Sequence, residues 1–150
     1  MVTTALVELF NRDLDALKKE INSYSNESIL WVTKSDIKNS PGNLCLHICG
    51  NLQHFIGSVL GNTGYVRNRD AEFNKKNVPK NELLISIDTT KEVIQNVLES
   101  LSENQLEKDY PIDVFKKKMT TTFFLIHLAG HLNYHLGQIN YHRRLLDMDN

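Results

Sequence analysis

The sequence predicts an all-α fold, a four-helix bundle, on three observations. Apolar residues recur at alternating spacings of three and four along the chain's long helical stretches. Seven glycines and three prolines in 150 residues are too few for a turn-rich all-β fold. The predicted helices are long enough to pack side by side along their length, as bundles do. No repeat, linker or low-complexity stretch divides the chain, so residues 1–150 read as a single domain.

The first helix spans about 4–24. Leu6, Phe10, Leu14, Leu17, Ile21 and Tyr24 form its stripe, Thr3 or Thr4 is its expected cap, and Asn26 lies past its end. Residues 25–40 connect it onward, anchored by Ile29, Leu30, Trp31 and Ile37. The second helix starts at Ser40-Pro41, since serine caps well and proline fits the first helical position, where no N–H is needed. It runs to about Leu60, with Gly61-Asn62 as the stop. Residues 62–78 are polar and read as a long crossover loop between helices two and three. The third helix runs from Pro79-Lys80 to about Leu101 on a face of Leu84, Ile87, Ile94, Val97, Leu98 and Leu101. In the connection over 102–117, Tyr110–Phe115 reads as briefly extended, as does Met119–Thr122 beyond it, because threonine and aromatics favour strands. The fourth helix, about 120–147, is the longest.

Charge and targeting narrow the function classes. Seventeen basic and 18 acidic side chains give a net charge of −1, which lacks the basic surplus of a nucleic-acid binder. No apolar run reaches membrane-spanning length. The N-terminus Met1-Val2-Thr3-Thr4-Ala5 has no basic segment leading into an apolar one. Two cysteines do not make a disulfide framework. The expectation is a cytoplasmic protein with neither a nucleic-acid nor a membrane partner.

Six histidines carry the functional signal. In the fourth helix His127, His131, His135, Gln138 and His142 fall within roughly 80° of one face at 3.6 residues per turn. Phe124 lies on the same line, so the stripe should face the bundle interior. Histidines four apart project from one face a turn apart and can reach one metal ion. That is the spacing of the HExxH zinc helices. Here Leu132-Asn133-Tyr134 fills the gap, so the general-base glutamate of that motif is absent. On the second helix His47 and His54 are two turns apart, roughly 10 Å, too far to share an ion. Either can supply a third ligand to the His131–His135 pair. His142 lies near the helix C-terminus beside Arg143 and Arg144 and is expected to be solvated. Cys45 and Cys49 face away from His47 and read as packing residues. His127 is a candidate substrate-facing group, with burial as the plainer alternative.

LHICGNL in the second helix, RNRDAEF in the loop after it and HLAGHLNYHLGQI in the fourth helix together resemble the DinB/YfiT-like superfamily of metal-dependent bacterial enzymes. This DinB is the damage-inducible metalloprotein, not the DNA polymerase of that name. The resemblance spans nearly the whole chain and implies an up-down-down-up bundle with one long crossover. It implies a divalent ion, nickel or zinc, held by three side chains, which match His47, His131 and His135. It also implies thiol chemistry in several relatives and a homodimer.

Three neutral imidazoles leave a four-coordinate ion with one open position, the catalytic rather than the structural pattern. The leading expectation is therefore a metal-dependent enzyme of thiol S-transferase or hydrolase type, acting on a small molecule, with a low-molecular-weight thiol as a candidate substrate. The alternatives are a non-catalytic metal- or ligand-binding stress-response protein, and a bundle whose histidines only pack. Arg67 and Arg69 are candidate substrate-binding residues, able to hold a carboxylate in bidentate fashion. The competing reading, favoured for a charge-rich loop, is that they pair with Asp70 and Glu72.

Overall fold

The structure, a computed structural model, describes residues 1–148. Its helices are α1 (Val2–Ser23), α2 (Pro41–Leu52, continued by a π-helical segment Gln53–Ser58 and a last α turn Val59–Gly61), α3 (Arg69–Asn74), α4 (Lys80–Ser100), α5 (Glu103–Glu107) and α6 (Thr121–Leu146). A 3₁₀ turn, Glu27–Trp31, lies between α1 and α2.

The expected stripe of α1 is buried from Leu6 to Ile21. Neither expected threonine caps the helix. It begins behind Met1 without a side-chain cap, and Thr3 lies buried within its first turn. Thr3 shares a face with Leu6 and Phe10, so the periodicity that buries those residues also buries Thr3. Asn26 caps the 3₁₀ turn instead, accepting from the Ser28 N–H at 2.9 Å.

The α2 start is as expected. Ser40 Oγ accepts from the Asn43 N–H, and Pro41 takes the first position. Asn62, in the left-handed region at φ 52°, ends the helix. The π segment carries no signal in the residue pattern. The crossover contains α3, and the later connection contains α5, which a Ser102–Gln105 capping box starts. Among the described residues no strand forms over Tyr110–Phe115 or Met119–Thr122. A single antiparallel bridge joins Asp109 and Thr120. Thr120 caps α6 through the Phe123 N–H at 3.1 Å, which turns the threonine run into a helix start.

Helices α1, α2, α4 and α6 form the bundle, with α1 and α2 each packed against both α4 and α6. Polar contacts between helices give their directions. Asn133 bonds Asp13, and Asn140 and Arg143 bond Glu20, so α1 and α6 run parallel. Lys18 meets Asp88 and Asp15 meets Lys91, so α1 and α4 run antiparallel. One continuous core fills the centre, with Phe10, Leu17, Leu52, Leu83, Leu98 and Leu132 essentially inaccessible. Each such side chain contributes about 1.5–3 kcal/mol of burial. No described helix is long and apolar enough to cross a membrane.

His142 is not solvated. It is 3% exposed, where the end of α6 meets the end of α1. Its Nε2–H donates to the Val32 carbonyl at 2.8 Å, which leaves Nδ1 to accept from the Tyr24 hydroxyl at 3.0 Å. Two fixed partners and a buried ring outweigh the favourable helix dipole that suggested an exposed cation. Burial pushes the His142 pKa down, although the Val32 carbonyl opposes the shift. The unfolded chain therefore takes up this proton at a higher pH than the folded one. The stabilisation is complete above the free histidine value of about 6.5 and is lost as pH falls through the folded value. His142→Phe should cost about 1–3 kcal/mol at pH 7.5. Chemical denaturation as a function of pH should show the gap from wild type narrowing below about pH 6.5.

Candidate metal centre

Two helices bring three imidazoles together. On α6, His131 and His135 are one turn apart, and their Nε2 atoms lie 3.0 Å from each other. From α2, His47 places its Nε2 3.3 Å from His131 Nε2. The three residues each offer one nitrogen, and these atoms all lie within 4.8 Å of one another. Among the described residues this is the only such group of metal-binding side chains. Nitrogens bound at 2.0–2.1 Å to a tetrahedral ion are about 3.3–3.4 Å apart; the His47–His131 separation of 3.3 Å matches this and the His131–His135 separation of 3.0 Å is shorter.

The outer nitrogens fix which atoms carry lone pairs. His47 Nδ1 lies 3.0 Å from Glu72 Oε1. Arg67 Nη2 also approaches it, at 3.4 Å, but that group already donates to Glu72 Oε1 at 2.9 Å. The shorter contact to the carboxylate decides that Nδ1 carries the proton, so His47 Nε2 is a lone pair. His135 Nδ1 lies 2.7 Å from Gln138 Oε1, and the same reasoning makes its Nε2 a lone pair. Both lone pairs point at His131 Nε2, which has one proton to give at most. Three basic nitrogens thus converge where one cation would serve them all. Burial, with the neighbouring His135 and His47 next in weight, pushes His131 down to about 4. Burial also lowers His135. Both are neutral at pH 7, the form that ligates a metal.

Glu72 was legible in the sequence only as a partner for the loop arginines. It also orients His47 on α2. Its carboxylate is 6% exposed and accepts from His47 and twice from Arg67, whose Nε lies 2.9 Å from Oε2. Burial pushes its pKa up, but the bonds from His47 and Arg67 win and hold it below the usual carboxylate range. Three local features place it. Asn68 caps α3 through the Ala71 N–H. Buried Asn43 on α2 donates to the carbonyls of Glu72 and Lys75 at 2.9 and 2.8 Å. Gly50 leaves room, since a Cβ there would run into the Glu72 carboxylate.

The Arg67–Glu72 pair is the structural pairing that the loop's charge pattern favoured. Arg69 pairs with neither acid. Its guanidinium lies 5.2 Å from the centre of the Phe73 ring. Arg67, Arg69 and His127 nevertheless all line one cavity of about 250 Å³ with His47 and His131. His127 is exposed and stacks on Phe124, with ring centres 5.8 Å apart. A second cavity of about 510 Å³ opens on the far side of His135, between Lys38, Leu44, Tyr134 and Tyr141. His54 joins neither the cluster nor the smaller cavity. A π turn takes more residues to come round to the same face, so Phe55 reaches the cavity where a straight α-helix would present His54. Cys45 and Cys49 are free and buried, as packing residues.

Comparisons with known proteins place the fold. No curated protein matches the chain. It is similar to the crystal structure of a DinB-like protein, YjoA, from Bacillus subtilis, with a TM-score of 0.71 at 20% identity. That match covers 97% of this chain and 94% of the other, and at this identity it speaks for the fold. A family model described as "Protein of unknown function (DUF1572)" matches residues 3–150. The chain therefore belongs to the DUF1572 family and carries the DinB-like fold that its motifs resemble.

Proposed function

We propose that the protein is a metal-dependent enzyme of thiol S-transferase or hydrolase type, with His47, His131 and His135 as ligands of one divalent ion, nickel or zinc. The observation that carries this reading is the convergence of the three Nε2 atoms, two of them fixed as lone pairs by Glu72 and Gln138. When bound, an ion with three imidazole ligands supplies an open position and Lewis acidity, enough to ionise a thiol or water near neutral pH. Glu72 holds the His47 ring by its Nδ1–H, and Arg67 keeps that carboxylate charged. Arg67, Arg69 and His127 are the substrate-facing residues of the smaller cavity.

Two cavities meeting at the histidines favour transfer over hydrolysis. A group transfer needs space for two substrates, and His135 borders the larger cavity while His47 and His131 border the smaller. A non-catalytic metal-binding stress-response protein remains the rival. Turnover of a thiol with an electrophilic partner by the metal-loaded protein separates the two. We further propose a homodimer through the first half of α6, where Phe123 and Ile126 are exposed away from both cavities.

Elemental analysis of untagged protein should find one divalent ion per chain. His131→Ala and His135→Ala should abolish tight binding and His47→Ala should weaken it strongly, while His54→Ala and His142→Ala leave the stoichiometry intact. Unchanged metal content in the first three variants would sink the site.

Gly50→Ala alters no ligand but displaces Glu72, and Glu72→Gln removes the charge that holds His47. Each should lower metal affinity about 10–100-fold by competition with a chelator. Wild-type affinity in both would remove Glu72 from the centre.

Sedimentation should give a dimer mass that Ile126→Asp reduces to the monomer. A monomeric wild type at micromolar concentration would rule out the pairing.

A further inference from the structure

Four of the large apolar side chains that remain exposed gather at one place. Ile37, Tyr134, Tyr141 and Leu145 all border the cavity of about 510 Å³ on the far side of His135. Single apolar residues in water carry no message, but a cluster of them lining one concavity marks a place for an apolar partner. The volume falls in the range of small-molecule pockets. Pro41 and Leu44, both buried, add to the apolar lining.

Tyr134, Gln138, Tyr141 and Leu145 follow one another at spacings of four, three and four, a single stripe of α6 roughly 16 Å long. Tyr134 and Tyr141 are 64% and 65% exposed, so their ring faces are open to a ligand. The Tyr134 ring centre lies 5.3 Å from that of His135, which puts the near end of the stripe at the histidine cluster.

The polar groups of the wall set what else the partner carries. Gln138 is exposed on the stripe, and its Oε1 accepts from His135 Nδ1–H at 2.7 Å. With that oxygen committed, the amide offers its Nε2–H donors to the cavity. Asp36 and Lys38 bring one charge of each sign, so the lining has no net charge. The smaller cavity differs, being lined by Arg67 and Arg69 and by no acid. An anion gains on the arginine side and not here, while a neutral acceptor is served by Gln138.

We propose that the larger cavity binds an uncharged molecule with a flat aromatic ring system that carries a carbonyl. The rings pack on Tyr134 and Tyr141, and the carbonyl accepts from Gln138 Nε2 beside His135. The proposal rests on the transferase reading for its purpose, since it names the class of the partner that meets a thiol at the centre. The contacts themselves come from side chains and need no ion.

Coumarin serves as the probe, and 2H-chromene is the same bicycle without the carbonyl oxygen. Isothermal titration is run on the full chain, metal-free and zinc-loaded. Coumarin should bind both forms, and 2H-chromene about fivefold more weakly, the size of one neutral hydrogen bond. Gln138→Glu keeps an oxygen for His135 and replaces the donor with a second acceptor, so it should abolish that preference. A glutamine that only orients His135 would leave the preference intact. Tyr141→Ala should weaken coumarin binding and Arg69→Leu should not. All three substituted residues are exposed, so the variants keep the fold. In competition with coumarin, the anion coumarin-3-carboxylate should be the weaker ligand. The idea is overturned if coumarin fails to bind at millimolar concentration, if 2H-chromene binds as well, or if the preference survives Gln138→Glu. It is also overturned if Arg69→Leu rather than Tyr141→Ala weakens binding, or if the carboxylate wins the competition. Metal content is measured separately. The coumarin preference in a chain that takes up no ion would overturn the metal centre and keep this proposal, and an ion without the preference would do the opposite.

Discussion

A carboxylate taken out of water must find donors, and the way Glu72 finds them organises the functional half of this molecule. Its donors are His47 on α2 and Arg67 on the crossover. The bond to His47 sets which imidazole nitrogen carries a proton, and so which one faces α6. The bonds to Arg67 tie the polar crossover, through Glu72, to α2. Asn43 binds the end of α3 to α2 from below, and Gly50 keeps the space open. Remove the carboxylate and three things lose their reference at once: the ring of His47, the path of the loop, and the arginine at the cavity wall.

The rest of the bundle supplies the opposite kind of constraint. The α1 stripe, the α4 face and the inner side of α6 are apolar and indifferent to direction, so they give stability without orientation. Orientation comes from a few polar contacts at the helix ends and along the seams. Glu20 holds Asn140 and Arg143, and Tyr24 and Val32 hold His142. These contacts fix how far α6 slides along α1. A shift of one turn, about 5.4 Å, would carry His131 and His135 away from His47.

What the sequence made legible follows from this division. Periodicity and capping residues gave four bundle helices to within a few residues, because burial and caps act locally. The His131–His135 pair was legible for the same reason, being one helix and one face. His47 against His54 was not decided by spacing, since both lie on one side of an ideal helix. The π segment that separates their fates has no pattern in QHFIGS. The role of Glu72 in aiming His47 was out of reach, because its partner is 25 residues away through a loop. His142 was misread because Arg143 and Arg144 describe the helix end, while its real partners lie on the first connection and the end of α1.

The two cavities follow from the same geometry that makes the cluster. His131 and His135 are fixed one turn apart by the helix, and His47 meets them from α2, so the three rings form a partition across the groove between α2 and α6. The rings lie nearly perpendicular to one another, at 79° and 87°. They meet through nitrogens and leave space on either side. On one side the crossover brings arginines and aromatics. On the other the connection before α2 brings Lys38 and Ile37, which is 38% exposed rather than anchored in the core as its hydrophobicity suggested. Chemistry placed at a partition is accessible from both sides while each side keeps its own lining. Separate segments of chain can therefore tune the two faces of the centre, so long as Glu72 and Gln138 keep the ring nitrogens turned inward.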